Sequence, residues 1–156
     1  MNSLPAVRRA EPADIDQLAA LAVRFYSEEG FGTPADALLV NLEMLVNSSD
    51  AQVLIGEADG RAAAFAVTTM NPGLEHRLVA ELQDLYVLPE HRGRGVATAL
   101  IDEVKTWAAR RGCEVLDIVI DAHGALRHDL VAFYRKRGFH DQGRRLVSAS
   151  LTAHGD

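Results

Sequence analysis

Cysteine is nearly absent, with Cys113 the one thiol in 156 residues. No internal disulfide can form, so the fold must rest on its apolar core, and the usage fits a reducing compartment. Long apolar runs are missing too; none approaches the roughly 18 residues of a membrane-spanning helix. Residues 1–5 have neither the basic nor the apolar region of a secretory leader, so a cytoplasmic protein with no membrane partner is expected. Positive charge is scarce: 16 Lys and Arg against 22 Asp and Glu leave a formal charge of −6. That balance counts against nucleic acid, whose binding draws on cationic contacts to phosphate, and suits a protonated amine drawn to an acidic cleft. His123, His128 and His140 lack metal-ligand spacing, and no metal site is expected. Repeats and low-complexity segments are also lacking.

What is present is an ordinary globular composition, long enough for one domain with a sizeable core. A single domain over residues 1–156, with its core at about 6–151, is expected. Residues 7–10 read as a first strand. Asp14 is placed to cap a helix carrying Ile15, Leu18, Leu21, Ala22 and Phe25 on one face and ending near Gly30. Pro34 opens a second helix with Leu38, Leu39, Leu42, Leu45 and Val46, broken at 47–50. Strands at 51–58 and 61–70 flank Asp59-Gly60, a hairpin signal. Residues 71–73 read as a turn and 79–88 as the next strand. After a Gly-rich link, Val96, Leu100, Ile101, Val104 and Ala108 follow helical spacing until Gly112. Residues 115–120 are almost wholly apolar, which predicts an interior strand covered on both faces. A last helix passes through Leu130, Phe133 and Tyr134 to Gly138, and 144–151 alternates as a final strand. The order β-α-α-β-β-β-α-β-α-β predicts one mixed α/β layer structure.

Arg92-Gly93-Arg94-Gly95-Val96-Ala97 lies between a strand and a helix. A helix start offers free backbone N–H groups and the positive end of its dipole. The glycines let a phosphate come close, and the arginines add charge. A P-loop would need Gly-Lys-Ser/Thr, and a dinucleotide fingerprint would need glycine where Thr98 stands. An Arg/Gly-rich surface turn is the alternative, and glycine spacing alone leaves both open. The wider stretch from Leu85 to Ala97 resembles the acetyl-CoA signature of the GNAT N-acetyltransferase superfamily. Its Gln/Arg-x-x-Gly-x-Gly/Ala pattern is met by Arg92, Gly95 and Ala97. Phe133-Tyr134-Arg135-Lys136-Arg137-Gly138-Phe139 is similar to that family's Phe-Tyr-x-x-x-Gly-Phe segment, and the element order matches as well.

The resemblance implies a single-domain GNAT fold of α/β class, with a mixed, mostly antiparallel sheet flanked by helices and with splayed central strands. It implies acetyl-CoA as cosubstrate. Arg92, Gly93, Arg94, Gly95, Val96, Ala97 and Thr98 would hold the pyrophosphate. The pantetheine arm would lie between 85–87 and 115–120, against Leu85, Tyr86 and Val87. An amide at or near Val87 would polarise the thioester carbonyl.

Residues 81–87 carry Glu81, Gln83 and Asp84 where a central strand should be apolar. Alternation puts Glu81, Gln83, Leu85 and Val87 on one face and Leu82, Asp84 and Tyr86 on the other; a bulge, common in this family's strand, would shift that phase. Carboxylates in such a place are costly unless paired or used. A protonated amine must lose a proton before it attacks a thioester, so the chemistry wants a base. Glu81, six residues before Val87 where many family members place a Glu, is the first choice, directly or through a water. Asp84 is second, as base or substrate anchor. Pairing with a core arginine or orienting a loop is the alternative for both. The resemblance gives Tyr134 the protonation of the departing thiolate, against a tyrosine that only packs. Cys113 reads as a bland thiol, His91 as shaping the loop or facing solvent, and Trp107 as packing.

For the acceptor, Tyr26, Glu28, Glu29 and Phe31 follow the first helix, where this fold often supplies substrate contacts; Tyr26 and Glu29 are the named candidates. Arg127 and His128 are candidates for an anionic group of the substrate or for the cofactor, against a solvated helix start. The sequence is similar to both aminoalkylphosphonate and aminoglycoside acetyltransferases. It departs from the common pattern by Arg127 and Leu130, where Asn and Ala are usual. Acetyl transfer to a primary amine of a small molecule, by direct attack in a ternary complex, is the leading expectation. A protein (lysine or N-terminal) acetyltransferase and a non-catalytic acyl-CoA-binding module are the alternatives. A homodimer is compatible with the resemblance.

Overall fold

The computed structural model describes residues 5–152, without the side chains of His123, Leu126 and Arg127. Two compact units divide the chain, residues 1–118 and 119–156.

In the first unit five strands lie in the order β1 (Ala6–Arg9), β2 (Ala51–Ala58), β3 (Arg61–Pro72), β4 (Leu78–Val87) and β5 (Val115–Ile118). The first four pair antiparallel, and β5 runs parallel to β4. Asp59 and Gly60 both take positive φ (53° and 75°), the geometry in which a two-residue turn matches strand twist. Asn71 and Pro72 belong to β3 instead of forming a turn. Proline at the last strand position withholds an N–H only where the ladder ends.

One sheet face carries α1 (Ile15–Glu29) and α2 (Ala35–Asn47). Leu18, Leu21, Leu38, Leu42 and Val46 from these helices pack with Val53, Ile55, Phe65, Val67 and Tyr86 from the sheet. The other face carries α3 (Val96–Arg110), which buries Val96, Leu100, Ile101, Val104 and Ala108. Gly56 leaves space there: a Cβ would lie 2.8 Å from Val96 Cγ1 and 3.1 Å from the Ala64 Cβ.

Asp14 precedes α1 but does not cap it through its side chain. Its carboxylate turns back to accept Arg8 Nη1 and Nη2, both at 2.8 Å, the Glu11 amide at 2.7 Å and Gln17 Nε2 at 2.9 Å. β5 also departs from expectation. It has four residues, half-buried except for exposed Asp117, and is the last strand of the ladder. It is therefore not an interior strand covered on both faces.

The second unit holds α4 (Ala122–His128) and α5 (Leu130–Arg135) in place of one helix. Asp121 caps α4 by accepting the Gly124 amide at 2.6 Å. Asp129, with φ of 47°, breaks the helical path between them. Residues 144–151 carry no strand and are exposed throughout. Alternation alone cannot make a strand: that needs a neighbouring strand in register to take its backbone groups, and the ladder described ends at β5.

Candidate active site

β4 is where apolar patterning fails, and its register explains how polar residues fit. Val67 pairs with Asp84 and Thr68 with Leu82, so Gln83 is an extra residue, a β-bulge. The bulge reverses the expected alternation beyond it. Glu81 pairs with Thr69, Asp84 with Val67 and Tyr86 with Phe65, which places all three on the α1/α2 face. Leu85 and Val87 pair with Ala66 and Ala64 and take the α3 face. Gln83 Nε2 donates to Thr69 Oγ1 at 2.9 Å, toward the same patch. The strand reading that separated Glu81 from Asp84 is thus corrected: one inserted residue brings them to one side.

The two carboxylates differ in setting. Glu81 is half-buried, and its side chain has no hydrogen bond or ion pair with another described residue. Asp84 accepts Tyr26 Oη at 3.4 Å. Burial pushes the Asp84 carboxyl above the ordinary carboxylate range, and the Tyr26 bond offsets only part of that. Burial and the nearby Asp84 push the Tyr26 hydroxyl up to about 12. Phe25, Tyr26 and Phe31 make edge contacts at 5.2–6.3 Å beside this patch.

The bulge also ends the β4–β5 ladder, whose last pair is Leu82 with Ile118. The Leu88 amide donates to the Ala63 carbonyl at 2.9 Å. Antiparallel strands turn alternate residues toward and away from the partner, so Leu85 and Val87 direct their N–H and C=O groups off β3 toward the open edge. Tyr86 does not join them. Its backbone pairs with Phe65, and its ring is stacked on Phe25 at 5.0 Å in the core.

Beyond β4, Gly93 and Gly95 take φ of 74° and 84°, and Gly95 is the residue before α3. A glycine in that position has no side chain to cap the first turn, so the amides of Val96 and Ala97 face outward from the helix start. Arg94 is exposed in this turn. Arg92 is used differently. Its Nε donates to the Val87 carbonyl at 2.9 Å, its Nη2 to Glu28 Oε2 at 3.1 Å, and its guanidinium lies 5.7 Å from the Tyr86 ring centroid. Tyr86 Oη donates to Glu28 Oε1 at 2.6 Å. Burial pushes Glu28 up, but the bonds from Tyr86 and Arg92 outweigh it and hold the carboxyl below its usual value. Burial and Glu28 push Tyr86 up to about 12. Sequence reading considered Glu28 only as a neighbour of the substrate; its tie to Arg92 spans 64 positions and left no local signal.

Other candidates fall as follows. Glu29 is half-buried at the end of α1. His128 is exposed at the end of α4, not at the start of the last helix; the Arg127 side chain lies outside the described residues. Tyr134 is buried in α5, edge-on to Phe133 and Phe139 at 5.0 and 5.4 Å. Burial pushes its hydroxyl up to about 12, with the Arg137 charge opposing. Burial likewise raises the half-buried Cys113 thiol. Among the described residues no group of three or more His, Cys, Asp and Glu could hold a metal, and no helix is long and apolar enough to cross a membrane.

An open strand edge leading into a glycine-headed helix start suits a long cosubstrate with an anionic end: amides along the strand for the arm, amides at the helix for phosphate. The pattern of the acetyltransferase (GNAT) family matches residues 15–139, and the chain belongs to that family. It is an N-acetyltransferase by class, with acetyl-CoA as cosubstrate. An aminoglycoside N(6')-acetyltransferase type 1 of Salmonella typhimurium is 32% identical over 121 residues, covering 68% of this chain and 83% of its own length. An uncharacterised N-acetyltransferase of Methanocaldococcus jannaschii is 31% identical over 88 residues; the match covers 55% of this chain but 38% of that protein. In fold, the chain is similar to an aminoglycoside N-acetyltransferase solved with CoA, with TM-score 0.84, 23% identity, and coverage of 97% and 98% of the two chains.

Proposed function

We propose that this protein acetylates a primary amine of a small, cationic molecule by direct attack in a ternary complex. The observation that carries this reading is the Gln83 bulge, which gathers Glu81 and Asp84 on one face beside the outward-turned backbone of Leu85 and Val87. The aminoglycoside acetyltransferases among its relatives support a small polyamine-like acceptor, as does the charge of −6. The family match runs across both compact units, which supports reading them as one catalytic domain.

Acetyl-CoA supplies an acetyl group on a good leaving group, the thiol. The backbone of Leu85 and Val87 would hold the arm, and the turn from Gly93 through Thr98, with Arg94, would hold the phosphates. Glu81, directly or through one water, accepts the ammonium proton so that the nitrogen lone pair can attack. The Val87 amide donates to the carbonyl oxygen as negative charge grows there. Asp84, with Tyr26, anchors the substrate's positive charge. The family resemblance assigns Tyr134 the return of a proton to the departing sulfur, and a hydroxyl pushed up to about 12 stays protonated until that moment.

Glu81→Gln is expected to lower kcat by about a hundredfold or more, and Tyr134→Phe by about tenfold or more, with acetyl-CoA binding retained. Steady-state kinetics following CoA release, with titration calorimetry for acetyl-CoA, checks both. Full activity in both variants would remove the assigned roles.

A further inference from the structure

We infer that Glu28 is a positioning residue for the acetyl-CoA side of the reaction, acting through Arg92; this rests on the function proposed above. Arg92 sits in the cofactor motif, where its charge could face phosphate, yet its donors are directed to Val87 and Glu28. Glu28 fixes that choice with both oxygens, one on Tyr86 and one on Arg92, while Arg24 Nε stands 3.9 Å away.

The consequence reaches the reacting end of the site. The carbonyl of Val87 and the amide of Val87 flank one residue at the open strand edge. A guanidinium held on that carbonyl, and laid against the Tyr86 ring, fixes the direction in which the chain leaves β4. Two glycines with positive φ follow, Gly93 and Gly95, and each widens the conformations open to the turn. Pinning the residue before them preorganises the amides ahead of α3, which lowers the ordering cost of binding. Glu28 also neutralises Arg92, leaving Arg94 and the backbone to meet the anion. Two residues earlier on α1, Tyr26 bonds Asp84, so one turn of α1 supports both the acidic patch and the cofactor turn.

The test uses Glu28→Gln, Tyr86→Phe, Arg92→Met and the Glu28→Gln/Arg92→Met double variant. Glutamine keeps one oxygen where Glu28 uses two, one for each partner, and loses the charge, and Tyr86→Phe removes only the hydroxyl. Expected is a rise of about tenfold in KM for acetyl-CoA in Glu28→Gln and a smaller one in Tyr86→Phe, with amine KM unchanged to within about twofold. The double variant is expected to be no worse than Arg92→Met alone, since one residue acts through the other. Multiplying effects, or a shift in amine KM instead, would overturn the inference. A readout independent of turnover is the Val87 amide in the nitrogen-15 spectrum of the ligand-free protein, expected to move in Glu28→Gln and Arg92→Met. If it stays put in a folded Glu28→Gln, with folding checked by melting, the clamp is wrong whatever the activity. Absence of CoA release by the unmodified protein would count against the proposed function and leave the spectral test standing.

Discussion

Asp14 is buried and Asp84 half-buried, and their surroundings drive the two carboxylates in opposite directions. Burial raises Asp84, so its folded-state pKa lies above the unfolded value of about 3.9. Its contribution to stability is complete below that value and is lost as pH rises through the raised one. Asp84→Asn is therefore expected to raise Tm at pH 7, with the gain shrinking on acidification, while lowering kcat/KM for the amine about tenfold or more. A fall in both would mark Asp84 as a structural partner of Tyr26. Asp14 is the reverse case: hydrogen bonds from Arg8 outweigh burial and hold it well below the usual range. Its contribution is present above about pH 4 and disappears as pH falls. Asp14→Asn is expected to cost about 2 kcal/mol at pH 7, a cost that narrows below about pH 4 and is lost only as pH falls through the lowered Asp14 value, measured by urea unfolding. Glu81 and Asp84 were legible in the sequence because charge inside an apolar strand is costly. The roles of Glu28 and of Asp14 as the partner of Arg8 were not, because each depends on a contact that only the folded chain creates.

At the scale of elements, periodicity found every α-helix and strand of the first unit to within one or two residues, since apolar patterning and a glycine, proline or polar stop bound each, but it missed the short 3-10 turns Pro12–Asp14 and Pro89–His91. It failed where a neighbour decides. Whether 115–120 is interior depends on what lies beside it, and 144–151 alternates without forming a strand. The bulge at Gln83 was foreseen only through the family resemblance, since an inserted residue leaves no mark on composition. α3 offers a test of how tightly the cofactor turn depends on packing. Gly56 lies against Val96, the first residue of that helix, whose branched side chain has little room to yield. Gly56→Ala is expected to cost about 1–3 kcal/mol and to weaken acetyl-CoA binding several-fold by lifting the helix start. Thermal melting and calorimetry read the two effects; stability lost without any change in affinity would separate the packing from the site.

For the whole molecule, an acidic chain sets exposed Arg94 and a helix start at one turn, with Glu81 and Asp84 on one face of the strand that leads to it. That division suits two substrates of opposite charge, an anionic cosubstrate and a cationic acceptor. Family and cofactor could be read from the motif while the amine could not, because the side chains proposed to meet the acceptor, Tyr26 and Asp84 among them, form no contiguous pattern. The most direct measurement is CoA release by the purified protein with acetyl-CoA and a panel of aminoglycosides, polyamines, aminophosphonates, amino acids and lysine-bearing peptides, with the products identified by mass spectrometry. The expected result is release that requires an amine, is fastest with a small polycationic one, and leaves an acetyl group on its primary nitrogen. No release with any acceptor despite tight acetyl-CoA binding, or release confined to peptides, would contradict it.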